Sequence, residues 1–204
     1  MKRIGILMLF AIFVSLIFIS CDDKSIITLG RDWEIYVVAA DDVWERTEPY
    51  IRPALEKKLV TPMVEKEFVV EHVLPENMDN YLQMRNLLFI SVLETDSRID
   101  DILKQSVNED LYENIQAGEE YLFVTQDQWA MDQFVMILSA PDIESLVSNV
   151  SIYPDYLYTY FDDYRNARLK ETLFFRTQGS LENELKEKCG WTMKIPSAYH
   201  IEKA

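Results

Sequence analysis

Apolar and polar positions change rhythm several times along the chain. Trp33 to Ala40 (WEIYVVAA) is rich in β-branched and aromatic residues and reads as a strand, with Asp41 and Asp42 placed to cap the next element. From Val43 to Leu59, the residues Trp44, Thr47, Ile51, Leu55 and Leu59 keep helical spacing. Pro49 and Pro53 lie inside that stretch and predict a kinked helix or one restarted near Pro49. Phe68 to Val73 is a second strand ended by LPEN, Met78 to Met84 a short helix, and Leu87 to Glu94 a third strand, apolar on both faces as a central strand is. Ile99, Ile102, Leu103, Val107, Leu111 and Ile115 then form one helical stripe that Gly118 can stop. Tyr121 to Thr125 and Gln133 to Ala140 read as strands, Ile143 to Val150 and Tyr156 to Phe174 as helices, Leu181 to Lys188 as a short helix and Trp191 to Ile195 as a last strand. Interleaving of this kind predicts an α+β fold in which a mixed or antiparallel sheet is covered by helices.

The first twenty residues obey a different rule. Lys2 and Arg3 precede an uncharged apolar run from Ile4 to Ile19, and Ser20 stands just before Cys21. A positive start, an apolar run and a small residue at the junction are the parts of an export signal. Phe18-Ile19-Ser20-Cys21 also resembles the lipobox of bacterial lipoproteins, although Phe18 stands where leucine is usual. That resemblance implies cleavage after Ser20 and a lipid (diacylglyceryl, palmitate-type) anchor on Cys21. Residues 1–20 then form the signal peptide, 21–32 the lipidated cysteine with a polar tether, and 33–204 a single globular domain. An uncleaved anchor competes with this reading, because Ile4 to Cys21 reaches the roughly 17 residues of the shortest membrane spans; so does a cleavable signal without lipid. The lipoprotein reading places the chain in a bacterial cell envelope, on the periplasmic or outer-membrane side, with the membrane as its first partner.

Charge and composition narrow the chemistry. The formal net charge is -15 over 204 residues, and it becomes -17 once Lys2 and Arg3 are removed with the leader. Such a surface repels phosphate backbones, so nucleic acid is excluded as a partner. Five glycines, none in a phosphate-cradling arrangement, offer no nucleotide site, and no cofactor is predicted. With Cys21 acylated, Cys189 has no intramolecular partner; a nucleophilic role for it with His72 or His200 as base is weighed and set below a partly buried structural cysteine. Neither a zinc-binding motif nor a hydrolase motif is present, so no metal ligand and no catalytic residue is assigned. The pairs Asp22-Asp23, Asp41-Asp42, Asp100-Asp101 and Asp162-Asp163 are adjacent in sequence, which makes their side chains diverge, and they read as caps and solvated faces.

One stretch departs from ordinary composition. IYPDYLYTYFDDYR carries the helical stripes Tyr156/Tyr160/Tyr164 and Tyr153/Leu157/Phe161. An apolar ring with a polar tip suits an interface, and Tyr156, Tyr160 and Tyr164 are the candidate binding surface, set against a core helix with hydroxyls at its rim. MRNLLFISVL around Arg85-Asn86, DQWAMDQFVMILSAPDIESL around Trp129 and KCGWTMKIPSAYHI around Pro196 resemble an uncharacterised, domain-of-unknown-function family of Bacteroidetes-type envelope lipoproteins. The resemblance implies a lipidated, exported α+β protein with no assigned activity. Members of that family continue beyond the last motif, which makes this chain a short or truncated member. Its Trp191 to Ile195 strand would then be an exposed edge for a partner or a second copy, making a homo-oligomer. The functional expectation is a membrane-tethered, non-catalytic binding or scaffold module with an envelope-protein or cell-wall partner. The alternative is a hydrolase-like envelope enzyme whose site combines scattered carboxylates with Arg85.

Overall fold

A run of β-branched and aliphatic residues can be buried on both sides only in the middle of a sheet with helices on each face. The computed structural model describes residues 26–60, 62–95 and 97–199 and builds that arrangement. In chain order the elements are β1 (Glu34–Val38), α1 (Asp41–Leu55), the hairpin strands β2 (Lys58–Val60) and β3 (Val64–Lys66), β4 (Val69–Val73), a 3-10 turn (Pro75–Asn80), β5 (Asn86–Val92), α2 (Ser97–Ser106) and α3 (Glu109–Gln116). They continue with β6 (Leu122–Gln126), β7 (Phe134–Ala140), α4 (Ile143–Ile152), α5 (Pro154–Phe174) and α6 (Gly179–Cys189).

The five-stranded sheet has the order β4-β1-β5-β7-β6. Its first four strands are parallel and β6 is antiparallel to β7, so the sheet is mixed and the fold α+β. Every residue of β5 and β7 is buried. Alternation along the strands divides the core in two. Ile35, Val37, Leu88, Ile90, Phe134, Met136 and Leu138 face α1, α4 and α5, where Trp44, Ile51, Leu146, Leu157 and Phe161 cover them. Val38, Leu87, Phe89, Val135 and Ile137 face the opposite layer of Met78, Ile99, Leu103 and Ile115.

Several local expectations change. Helix α1 runs unbroken through Pro49 and Pro53, because both prolines fall on its exposed side and the carbonyls they leave unpaired there can be hydrated. Its N-cap is Ala40, while Asp41 and Asp42 lie in the first turn, where they favour the helix dipole without capping by side chain. The stripe from Ile99 to Ile115 is split between α2 and α3, since Asn108 accepts the Leu111 N–H at 2.9 Å and starts a new helix. Trp191 to Ile195 is not a strand: the Ile195 N–H donates to Glu182 Oε1 at 2.8 Å, which ties the segment to α6. The edge strands of the five-stranded sheet are β4 and β6 instead. Among the described residues no helix is long and apolar enough to cross a membrane. The export signal, Cys21 and His200 lie outside the described residues.

Candidate functional site

The tyrosine stripe of α5 changes character along its length. Tyr156 and Tyr160 are 55% and 42% exposed. Tyr164, one turn further, stacks on Phe134 at 4.8 Å between ring centroids and donates its hydroxyl to the Gln133 carbonyl. The same spacing continued once more reaches Arg168, which is only 7% exposed. A stripe that passes from solvent toward the sheet thus carries a cation inward behind three tyrosines, with the Arg168 guanidinium 4.8 Å from the Tyr164 ring centroid.

Arg168 is the centre of a polar network at the amino-terminal ends of β1, β5 and β7. Its Nη2 donates to Asn86 Oδ1 at 2.9 Å and stands 3.4 Å from Asp32 Oδ1, while Nη1 donates to the Asp132 carbonyl at 3.1 Å. Asn86 uses its amide to hold the Asp32 and Glu34 carbonyls, cross-linking β5 to the start of β1. Arg85 shares Asp32, at 3.0 Å, and donates its Nε to the Thr28 hydroxyl. Gln133, fully buried, donates to the Leu82 and Met84 carbonyls and accepts the Trp129 N–H. Asp127 accepts the Asp132 and Gln133 N–H groups, which pins the turn between β6 and β7 where Asp127 and Asp132 adopt φ values of 53° and 64°. The stretches around Arg85-Asn86 and Trp129 therefore meet in space. Burial pushes the Arg168 guanidinium below its ordinary range, with Asp32 and Asp132 opposing that drift. Burial also raises the Asp132 carboxyl, against the pull of Arg168 and Arg85, although the residue as a whole is exposed.

A cleft of about 790 Å³ opens beside this network, lined by Asp127, Met131, Asp132, Arg168, Glu171 and Phe175 among others. Arg85, paired with Asp32, is not part of the lining. A second cleft, about 630 Å³, sits at the other end of the sheet beyond β1, β5 and β7, where α/β sheets commonly take ligands. Its polar groups are largely engaged locally: Asp142 caps α4 through the Ser145 N–H and hydroxyl, and Arg46 faces Glu144 at 3.6 Å. His72 stacks on Trp44 and contacts the Ala39 carbonyl at 2.9 Å, and Cys189 is exposed at the end of α6; nothing joins them into a nucleophilic pair. Among the described residues no group of three or more histidine, cysteine or carboxylate side chains is arranged to hold a metal ion.

A family described as Domain of unknown function (DUF8532) matches residues 28–174. The chain belongs to this family. The DUF8532 match opens at Thr28, the partner of Arg85, and closes at Phe174, the last residue of α5. The sheet, the arginine network and the exposed tyrosines all fall within the DUF8532 domain, while α6 lies beyond it. No curated protein and no solved structure matches the chain.

Arg168 does carry a signal in the sequence, although it is not among the residues singled out there. It extends the 156/160/164 stripe by one more step of four, which places it beside Tyr164 on the same face of the helix.

Proposed function

We propose that this DUF8532 protein is an exported lipoprotein, held to an envelope membrane through Cys21, that works as a non-catalytic binding module. The supporting observation is how its polar groups are used. Most of those around the cleft are engaged with one another, Asp32 with two arginines, Arg168 with Asn86 and a carbonyl, Asp127 with two N–H groups, while the buried Arg168 Nε is left without a hydrogen-bond partner. By contrast, the side of α5 next to β6 leaves aromatic surface uncovered at Tyr153, Tyr156 and Tyr160. Buried, engaged groups hold a shape, and exposed tyrosines offer contact area at small entropic cost. The alternative, a hydrolase-like enzyme using Arg85 and scattered carboxylates, is favoured by one feature: a raised carboxyl, Asp132, lining a cleft beside an arginine.

Membrane fractionation of wild type and Cys21→Ser, combined with chemical crosslinking and mass spectrometry of the modified cysteine, tests the proposal. Lipid on wild-type Cys21 and release of the variant from membranes are expected, with partners captured only by the anchored form. An unmodified Cys21 in a chain that still pellets with membranes would defeat the anchor. Turnover of an ester, amide or glycoside substrate that disappears in Asp132→Asn would move the assignment to the enzyme.

A further inference from the structure

We propose that the groove between α5 and β6 receives an extended peptide segment of a partner, alternating apolar and basic residues, which adds to the sheet as a sixth strand. This deepens the binding-module reading and rests on it.

The groove is a consequence of register. The Ser139 N–H donates to the Tyr121 carbonyl at 2.9 Å and the Asp127 N–H to the Gln133 carbonyl at 3.1 Å. In an antiparallel pair this alternation leaves the even-numbered residues of β6, Leu122, Val124 and Gln126, with N–H and C=O groups turned away from β7. Among the described residues these outward groups have no hydrogen-bond partner. The opposite edge is treated differently. On β4, the Val70 N–H donates to Glu56 Oε1 at 3.1 Å and the Val70 carbonyl accepts from Arg52 Nη1 at 3.0 Å, so side chains occupy the outward groups at the middle of that edge. One edge is guarded at its centre, at Val70, and the other is open at all three outward residues.

Helix α5 supplies a wall along the open edge. Tyr121, just before β6, has Tyr156, Tyr160 and Tyr153 as electrostatic neighbours, and Gln126 and Asp127 at its far end share the cleft with Tyr164, Arg168 and Phe175. The helix therefore runs beside the strand in the same direction. It covers β7 but not β6: Met136 is fully buried, whereas Val124, paired opposite it on the same face, is 45% exposed. A strand edge beside a helix, with an apolar floor, is the geometry by which extended peptides bind through main-chain bonds and alternate side-chain pockets.

Charge selects the occupant. Glu119 and Glu120 stand exposed at one end of the groove, and Asp127, Asp132 and Glu171 line the other. The guanidinium of Arg168 is already balanced by Asp32. A second copy pairing through β6 would set these acidic ends against its own, and like charges facing across strands destabilise the pair. Lysines of a partner segment would instead meet carboxylates at both ends and tyrosine rings between.

Amide hydrogen exchange on the full-length chain in detergent tests this, with a capped synthetic peptide alternating lysine and valine as probe. The peptide is expected to slow exchange at Leu122, Val124 and Gln126 by about tenfold or more, and its glutamate-for-lysine counterpart to bind at least about tenfold more weakly, about 1.4 kcal/mol. Val124→Pro should abolish binding at unchanged melting temperature, because the N–H it removes is unpaired. Tyr160→Ala should weaken binding several-fold without touching the strand. Equal binding of the glutamate peptide, protection confined to other strands, or self-association of the chain through β6 overturns the proposal. A partner crosslinked in membranes through a face away from β6 overturns the groove and leaves the tethered-module reading standing.

Discussion

Arg168 decides how the amino-terminal ends of three strands are held. Replacing it by methionine keeps the length of the side chain but leaves Asn86 Oδ1 and the Asp132 carbonyl without their donor and Asp32 with one arginine instead of two. Removing one partner of a buried, hydrogen-bonded charge typically costs about 3–5 kcal/mol. Asp32 is 45% exposed and water can replace part of what it loses, so Arg168→Met should cost about 3 kcal/mol in urea unfolding, the lower end of that range. Arg168→Lys should recover little, since an ammonium cannot span three acceptors as a planar guanidinium does. A loss below about 1 kcal/mol in both variants would mean that the network is peripheral to stability. The same residues show where sequence reasoning stops. Arg85 is visible as a candidate because it adjoins a recognisable stretch, but its bond to Asp32 and that of Arg168 to Asn86 join residues more than fifty positions apart, and no spacing rule reports such pairs. Period alone groups Tyr164 with Tyr156 and Tyr160; packing on Phe134 separates it from them.

Elements are more legible than their boundaries. All strands of the large sheet coincide with apolar runs, and the helices that cover it with apolar stripes, because burial imposes those periods directly. The small hairpin of β2 and β3 leaves no such trace: each of its six residues is exposed, so no buried face writes a period into it. Trp191 to Ile195 misleads in the other direction, since its composition suits a strand but Glu182 of α6 takes its backbone. Helix α6 itself buries no side chain. Its attachments are made mostly within residues 176–199, through Gln178 to the Ile195 and Pro196 carbonyls and Ser197 to Arg176. A segment held mainly by hydrogen bonds, with little apolar burial beyond Pro196, has low local stability. Deleting residues 177–204 should therefore leave the unfolding free energy within about 0.5 kcal/mol of the full chain, the range of ordinary surface changes. In the full chain, amides of α6 should exchange well before those of β1, β5 and β7. A truncated chain that fails to fold, or α6 amides as protected as the central strands, would show that the segment belongs to the core.

At the scale of the whole molecule, the excess of acidic residues sets the response to pH, and among the carboxylates held below their ordinary values, Glu56, Asp142 and Glu184, Glu56 is the one with a buried side chain. Most acidic side chains repel one another, so protonating them relieves strain on the folded chain. Glu56 works in the opposite sense. Burial by itself would raise its pKa, but the Lys66 hydrogen bond, the Val70 N–H and the charges of Lys66 and Arg52 together hold its carboxyl below the ordinary glutamate value of 4.5. The Glu56 side chain is 8% exposed and joins the end of α1 to β3 through Lys66 and to β4 through Val70, so its ionised form fastens three elements. A carboxyl whose pKa is lower in the folded than in the unfolded chain contributes stability that is complete above 4.5 and is lost as the pH falls through the folded value. Glu56→Gln removes the charge at every pH. The variant should be less stable than wild type at pH 7, the difference should shrink below pH 4.5, and the two stability curves should converge once wild-type Glu56 is protonated. Urea unfolding midpoints measured from neutral to acid pH give both curves. A constant gap across the acid range would assign the cost of the substitution to packing, and the link between the guarded β4 edge and the ionised Glu56 would then fail.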